Sequence, residues 1–204
     1  MANGAAETIA ARIGARRESG ARGRVAERQE RRLIRAAQAG SEEAIETLYR
    51  NHWPLAHRAA YFVVHDAAAA EDIAQESFLA AVRALDRFDR RRPFGSWLNR
   101  IVVNRAIDWA RARALRKESQ IEPEAHLEPR RDPEPASGHP YSEEILAALT
   151  SLSPEHRAVV VLRYLLECTP GEIAEMLGLP RGTVNSRLRR ALDRLEVRLG
   201  GERP

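Results

Sequence analysis

The chain has 204 residues, 44% hydrophobic and 30% charged, with a formal net charge of +4 and a pI of about 9.8. That length suits one large or two small domains; no apolar run approaches the ~20 residues that span a bilayer, and the opening MANGAAETIAARIGARR is too polar for a secretory leader. The single Cys168 excludes an internal disulfide and suits a reducing compartment, so a cytoplasmic protein without membrane insertion is expected.

Arg greatly outnumbers Lys, and its planar, permanently charged fork is the better phosphate and base ligand. A basic balance suits a nucleic-acid partner without proving one. Residues 1–30 are rich in Ala, Gly and Arg and read as a tail, disordered or partly helical. From Arg31 the pattern becomes helical. Leu33, Ile34 and Ala37 form a short face that Gly40 ends. Ser41 caps a second helix, with Glu42 and Glu43 matching its positive end. Ala44, Leu48, Leu55, Ala59, Phe62 and Val63 point inward from it, and Pro54 is expected to kink it.

The stretch from Glu71 to Phe88 reads as one amphipathic helix with Ala74, Phe78, Ala81, Val82 and Leu85 inward. Asp72, Gln75, Glu76 and Leu79 recur at three and four residues on a different stripe. Such a stripe is either solvated or a docking surface for a basic helix. A charged loop, DRFDRRRP, follows, and then the helix WLNRIVVNRAIDWARAR. Its Leu98, Ile101, Val102 and Trp109 face inward, while Arg100, Asn104, Asp108 and Arg111 form a polar stripe. Trp97 reads as a core aromatic.

From 114 to 140 the composition shifts to Pro and charge with almost no large apolar residue, which marks a linker. Its roughly 27 residues reach at most ~90 Å, about the length of 25 base pairs at ~3.4 Å per step. The chain therefore divides into helical domains over 31–113 and 141–200. The second starts with Ser142 as a cap before Ile145, Leu146 and Leu149, followed by Ser153-Pro154 and the buried run AVVVLRYLL.

The stretch from Thr169 to Leu199 is a helix, a Gly-containing turn and an Arg-rich helix. Thr169, Pro170 and Glu172 spell a capping box with Pro at the first position, and Gly178 and Pro180 stop the first helix. Val184, Leu188, Ala191, Leu192, Leu195 and Leu199 form the apolar stripe of the second. This describes a DNA-binding helix-turn-helix, with Arg able to bind guanine and Asn adenine from the helix N-terminal end. A plain helical hairpin with solvated Arg is the bland alternative. Cys168 beside the cap reads as a packing residue.

AEDIAQESFLAAVRALDRFD, RPFGSWLNRIVVNRAIDWARAR and LSPEHRAVVVLRYLLECTPGEIAEMLGLPRGTVNSRLRRALDRL, in this order and around such a linker, resemble one family: bacterial RNA polymerase sigma factors of the extracytoplasmic-function (ECF) class within the sigma-70 family. The resemblance implies an all-α chain of a sigma domain two and a helix-turn-helix sigma domain four joined by a flexible linker, with no cofactor, no metal and no enzyme activity. It implies that Asp72, Gln75, Glu76 and Leu79 bind the beta-prime clamp helices of core polymerase, with the beta flap as a further contact. Arg87, Arg91, Phe94, Ser96, Arg100, Asn104 and Arg105 would capture the promoter −10 element. Arg181, Gly182, Thr183, Asn185, Ser186, Arg187 and Arg190 would read the −35 element. Glu122, Glu124, Glu128 and Asp132 in the linker would imitate nucleic-acid charge, and an anti-sigma factor would hold the protein inactive. Asn185 stands where a Lys is frequent in the family.

Two other classes compete. A free-standing helix-turn-helix regulator would bind a palindrome as a dimer, yet no dimerisation helix or effector pocket is legible. A nuclease using His52, His57, His65 and Asp66 would need a metal or triad spacing that these residues lack.

Overall fold

The computed structural model describes residues 20–119 and 143–200. The first nineteen residues, the acidic linker positions and the Ser142 cap lie outside the described residues. Among the described residues every regular element is helical, and they fall into two compact units.

The first unit holds residues 20–61 and Ala67–Ala106. Helix α1 runs Gly20–Gln38, so it begins inside the segment read as a tail. Gly40, at φ 89°, ends the turn after it. Ser41 then caps α2 (Glu42–Val64) by accepting the Ala44 N–H at 3.3 Å. Pro54 lies inside α2 without dividing it. Helix α3 (Ala67–Arg83) buries Ala70, Ile73, Ala74, Ser77, Phe78 and Ala81. It stops five residues short of the expected end and gives way to a 3₁₀ turn, Leu85–Arg87.

The turn that follows is held by a tertiary contact. The carbonyls of Leu85 and Phe88 accept from the Gln38 side-chain amide at 2.8 and 3.4 Å, Leu85 O alongside the Phe88 N–H of the 3₁₀ turn at 3.0 Å. Helix α4 (Phe94–Ser119) follows. Ile34, Leu48, Phe62, Phe94, Leu98 and Val102 are all 1% exposed or less and mark where apolar burial concentrates along these helices. Phe88, Phe94 and Trp97 form an aromatic cluster with centroids 4.7–5.8 Å apart.

The second unit takes Phe62–Asp66, the end of α4 from Ile107, and residues 143–200. It contains α5 (Glu143–Thr150), α6 (Pro154–Val160) with a π-helical turn over Val161–Leu165, α7 (Pro170–Leu177) and α8 (Arg181–Gly200). Ser153 caps α6 by accepting from the His156 N–H. Ala158, Val159, Val160, Val161 and Leu162 are fully buried, as the apolar run requires, together with Ile145, Leu149, Ile173, Val184 and Leu195.

One charge sits inside this unit. Arg157 is 7% exposed. Its guanidinium donates to the carbonyls of Leu149, Thr150 and Leu152 at 2.9, 3.1 and 3.0 Å, and to that of Val63. These carbonyls lie at or just beyond the ends of α5 and α2, where helices leave acceptors unpaired. A single fork therefore satisfies two helix ends.

Candidate nucleic-acid and partner interfaces

The expected capping box is present at the start of α7. Glu172 N–H donates to Thr169 Oγ1 at 3.3 Å, and Thr169 N–H donates to Glu172 Oε2 at 2.7 Å. Hydrogen bonds from the Thr169 backbone and side chain hold the Glu172 carboxyl below its ordinary value. Gly178 takes the left-handed conformation, φ 63° and ψ 35°. A residue with a Cβ is strained there, so the Gly directs the chain from α7 into α8.

Helix α8 carries no acidic residue in its first turn, whereas α2 has Glu42 and Glu43 there. The positive end of the α8 dipole therefore has no acidic side chain of its own first turn beside it. Arg181, Gly182, Asn185 and Arg190 are exposed around it, and Thr183, Ser186 and Arg187 are half-buried. The Ser186 hydroxyl donates to Thr183 O at 2.9 Å, which leaves its lone pairs to accept. Val184, Leu188, Ala191 and Leu195 are buried on the opposite stripe and fix the rotation of the helix. The cationic field extends to α6: burial, then Arg194 and Arg187, push His156 below the ordinary histidine value.

In the first unit, Asp72, Gln75, Glu76 and Leu79 are all exposed on one stripe of α3. Leu79 is 47% exposed, one of three large apolar side chains so placed among the described residues. It helps line a groove of about 400 Å³ between α2 and α3, with Ile45, Tyr49 and Phe78 as its apolar lining and Glu42, Glu46 and Gln75 as polar members.

The seven residues assigned to the −10 element divide. Arg87, Arg91, Ser96 and Arg100 are exposed, and Asn104 and Arg105 are half-buried. Asp89 braces the loop by accepting from Arg91 N–H at 3.0 Å and Arg91 Nε at 3.2 Å. Phe94 is the correction: it is 1% exposed and packs between Phe88 and Trp97. Its ring supports the loop from beneath and does not lie on a surface that DNA can touch. The sequence reading missed this because Phe94 follows a charged run and a Pro, a context that reads as loop.

Arg105 Nη1 donates to Glu76 Oε2 at 2.8 Å. Residues assigned to two different partners therefore touch. The four residues considered for a nuclease are held separately. His52 Nε2 meets Glu30 at 3.0 Å, His57 stacks on Trp53 at 5.9 Å, and Asp66 accepts from Arg113 at 2.7 Å. Burial, then the charge of Arg157, pushes His65 down to about 3. Among the described residues no three His, Cys, Asp or Glu side chains gather as a metal site, and no helix is long and apolar enough to cross a membrane. Cys168 is 7% exposed, and burial followed by Glu172 raises its thiol to about 11.

Comparison with known proteins agrees with this arrangement. Residues 48–116 match Sigma-70 region 2, and residues 142–195 match Sigma-70, region 4. The ECF RNA polymerase sigma factor SigW of Bacillus subtilis is 30% identical over 184 residues, covering 83% of this chain and 96% of that protein. The ECF sigma factor SigM of Mycobacterium tuberculosis is 34% identical over 178 residues, covering 85% and 86%. Among solved structures, CnrH in complex with the cytosolic domain of CnrY is 27% identical with a TM-score of 0.60, covering 85% of this chain and 99% of that one. The sigma factor RpoE of Bartonella quintana, solved with the anti-sigma factor NepR, shares the fold at a TM-score of 0.60 and 22% identity over 78% and 98% of the two chains.

This chain belongs to the ECF RNA polymerase sigma factors. Its function is that of a sigma factor, directing transcription initiation, and a free-standing regulator is not favoured.

Proposed function

We propose that the two regions divide recruitment between them as follows. Asp72, Gln75, Glu76 and Leu79 dock on the beta-prime clamp helices of core polymerase, and region 4 rests against the beta flap. Arg87, Arg91, Ser96, Arg100, Asn104 and Arg105 capture the non-template strand of the −10 element, with Phe94 supporting them from below. Arg181, Gly182, Thr183, Asn185, Ser186, Arg187 and Arg190 read the −35 element in the major groove.

The observation that carries this reading is the contrast between two helices of one chain. Helix α3 exposes Asp72, Gln75, Glu76 and Leu79 together, and α8 begins with Arg and no acid. Phosphate contacts set register, and base-edge contacts from Arg187 and Asn185 give sequence. A captured unstacked base offsets the few kcal/mol that unpairing costs. Binding to free promoter DNA is weak, because polymerase fixes the separation of the two regions and supplies their effective concentration. RpoE, which shares this fold, is solved with the anti-sigma factor NepR, and we propose an anti-sigma partner for this chain as well. All of this takes place in the cytoplasm.

The test separates the surfaces. Arg187→Ala lowers use of a −35-dependent promoter by roughly 1–3 kcal/mol, the cost of one base-reading Arg, while core affinity is unchanged. Asp72→Ala weakens core binding and leaves −35 recognition intact. Core affinity that ignores Asp72→Ala would falsify the docking assignment.

A further inference from the structure

Helix α1 supplies two side chains that grip both ends of the 85–94 segment. At the entering end, Gln38 Nε2 donates to Leu85 O at 2.8 Å and Phe88 O at 3.4 Å. At the leaving end, Glu30 Oε2 accepts the Phe94 N–H at 3.4 Å, and its other oxygen lies 3.0 Å from His52 Nε2 on α2. Both residues precede the region 2 match, which starts at residue 48.

Helix α4 needs such help. Its first N–H groups require an acceptor, yet Arg92 and Pro93 before it offer none from their side chains. Glu30, 64 residues away, caps the helix in their place. Burial alone would raise its carboxyl. The His52 hydrogen bond and charge, the Phe94 N–H and Arg31 together hold it below the ordinary value, so it stays ionised at the dipole's positive end. Gly95 makes the approach possible: a Cβ there would stand 3.2 Å from His52 Nδ1.

We infer that Glu30 and Gln38 are positioning residues for strand capture, holding the 85–96 loop in its DNA-competent shape before DNA arrives. This rests on the reading that Arg87, Arg91 and Ser96 take the −10 strand. A loop already ordered loses less conformational entropy on capture, so the brace acts on promoter opening and not on docking to polymerase.

The experiment uses the full chain with Glu30→Met, Glu30→Gln and Gln38→Met, near-isosteric changes checked for wild-type helical content. Amide exchange of the free protein is read first. Each Met variant removes two contacts and speeds exchange across 85–97 by at least about fivefold, the equivalent of one of them. Glu30→Gln, which keeps an acceptor for Phe94, recovers most of the protection. Holoenzymes are then compared on a promoter found by mapping transcript starts, as intact duplex and with the −10 bases already mismatched. The Met variants open the duplex about fivefold more slowly by the same reckoning, and act normally on the mismatched template at unchanged core affinity. Unchanged exchange overturns the brace itself. Faster exchange with wild-type opening overturns its role in capture. A wild-type holoenzyme that opens no promoter removes the −10 assignment and leaves the exchange result standing.

Discussion

Arg105 on α4 donates to Glu76 on α3 at 2.8 Å, joining the surface assigned to the −10 strand with the surface assigned to polymerase. The Arg105 side chain is 41% exposed and that of Glu76 66%. An ion pair so placed is worth at most about 1 kcal/mol, so either partner can break it at small cost. Glu76→Gln frees Arg105 for phosphate. Binding of a single-stranded −10 oligonucleotide to the free protein tightens a few-fold, and the salt dependence steepens by roughly 0.7, one added contact. An unchanged slope means that Arg105 does not meet phosphate.

Arg157 satisfies four carbonyls from inside the second unit. Arg157→Ala takes the guanidinium from all four, leaving Leu149 O only the Leu152 N–H at 3.1 Å, and costs about 3 kcal/mol or more. Arg157→Lys restores only part, since an ammonium is not a planar fork. Denaturant unfolding of the three proteins measures both values. Loss of under about 1 kcal/mol in the Ala variant would mean water replaces the guanidinium.

His65 adds a pH dependence to the same unit. Its folded value is pushed down to about 3, from an ordinary 6.5. The unfolded chain therefore binds a proton that the folded one refuses. Stability is full above the ordinary value and falls as pH drops below it. His65→Gln flattens the stability profile between pH 6.5 and about 4, whereas the parent slopes downward there.

The capping box gives a second, separable acid effect. The Glu172 carboxyl is held low by Thr169, so its contribution is present above the ordinary value of 4.5 and disappears as pH falls through the folded value. Thr169→Ala removes the hydroxyl half of the box, leaving the backbone N–H that donates to Glu172, and costs about 1 kcal/mol at neutral pH. Glu172→Gln shrinks the acid sensitivity, seen as a smaller drop in thermal midpoint below pH 4.5.

Cys168 should be inert in the folded protein. With its thiol raised to about 11, the thiolate that attacks disulfides and alkylating agents is scarce at neutral pH. Reaction with a thiol reagent at pH 8 becomes fast only in denaturant. A rapid native-state reaction would instead mark Cys168 as a redox group.

Much of this was legible in the chain, for identifiable reasons. Thr169, Pro170, Glu172 and Gly178 write the helix-turn-helix in local chemistry, and local chemistry reads directly. The α3 stripe of Asp72, Gln75, Glu76 and Leu79 follows from helical spacing, and all four are exposed. What escaped depends on partners far along the chain. The 3₁₀ turn after α3 is held by Gln38, which donates to carbonyls 47 and 50 residues away. Phe94 turns inward because Phe88 and Trp97 await it. Arg157 stands just before an apolar run, after Glu155 and His156, where nothing nearby signals that helix-end carbonyls will surround it. No spacing rule connects Glu30 to Phe94.

The most direct measurement is transcription reconstituted from purified core polymerase, this protein and genomic DNA fragments. Discrete start sites should appear only when the protein is added, each preceded by paired −10 and −35 sequences at one spacing. Transcripts that are the same with and without the protein would contradict the account.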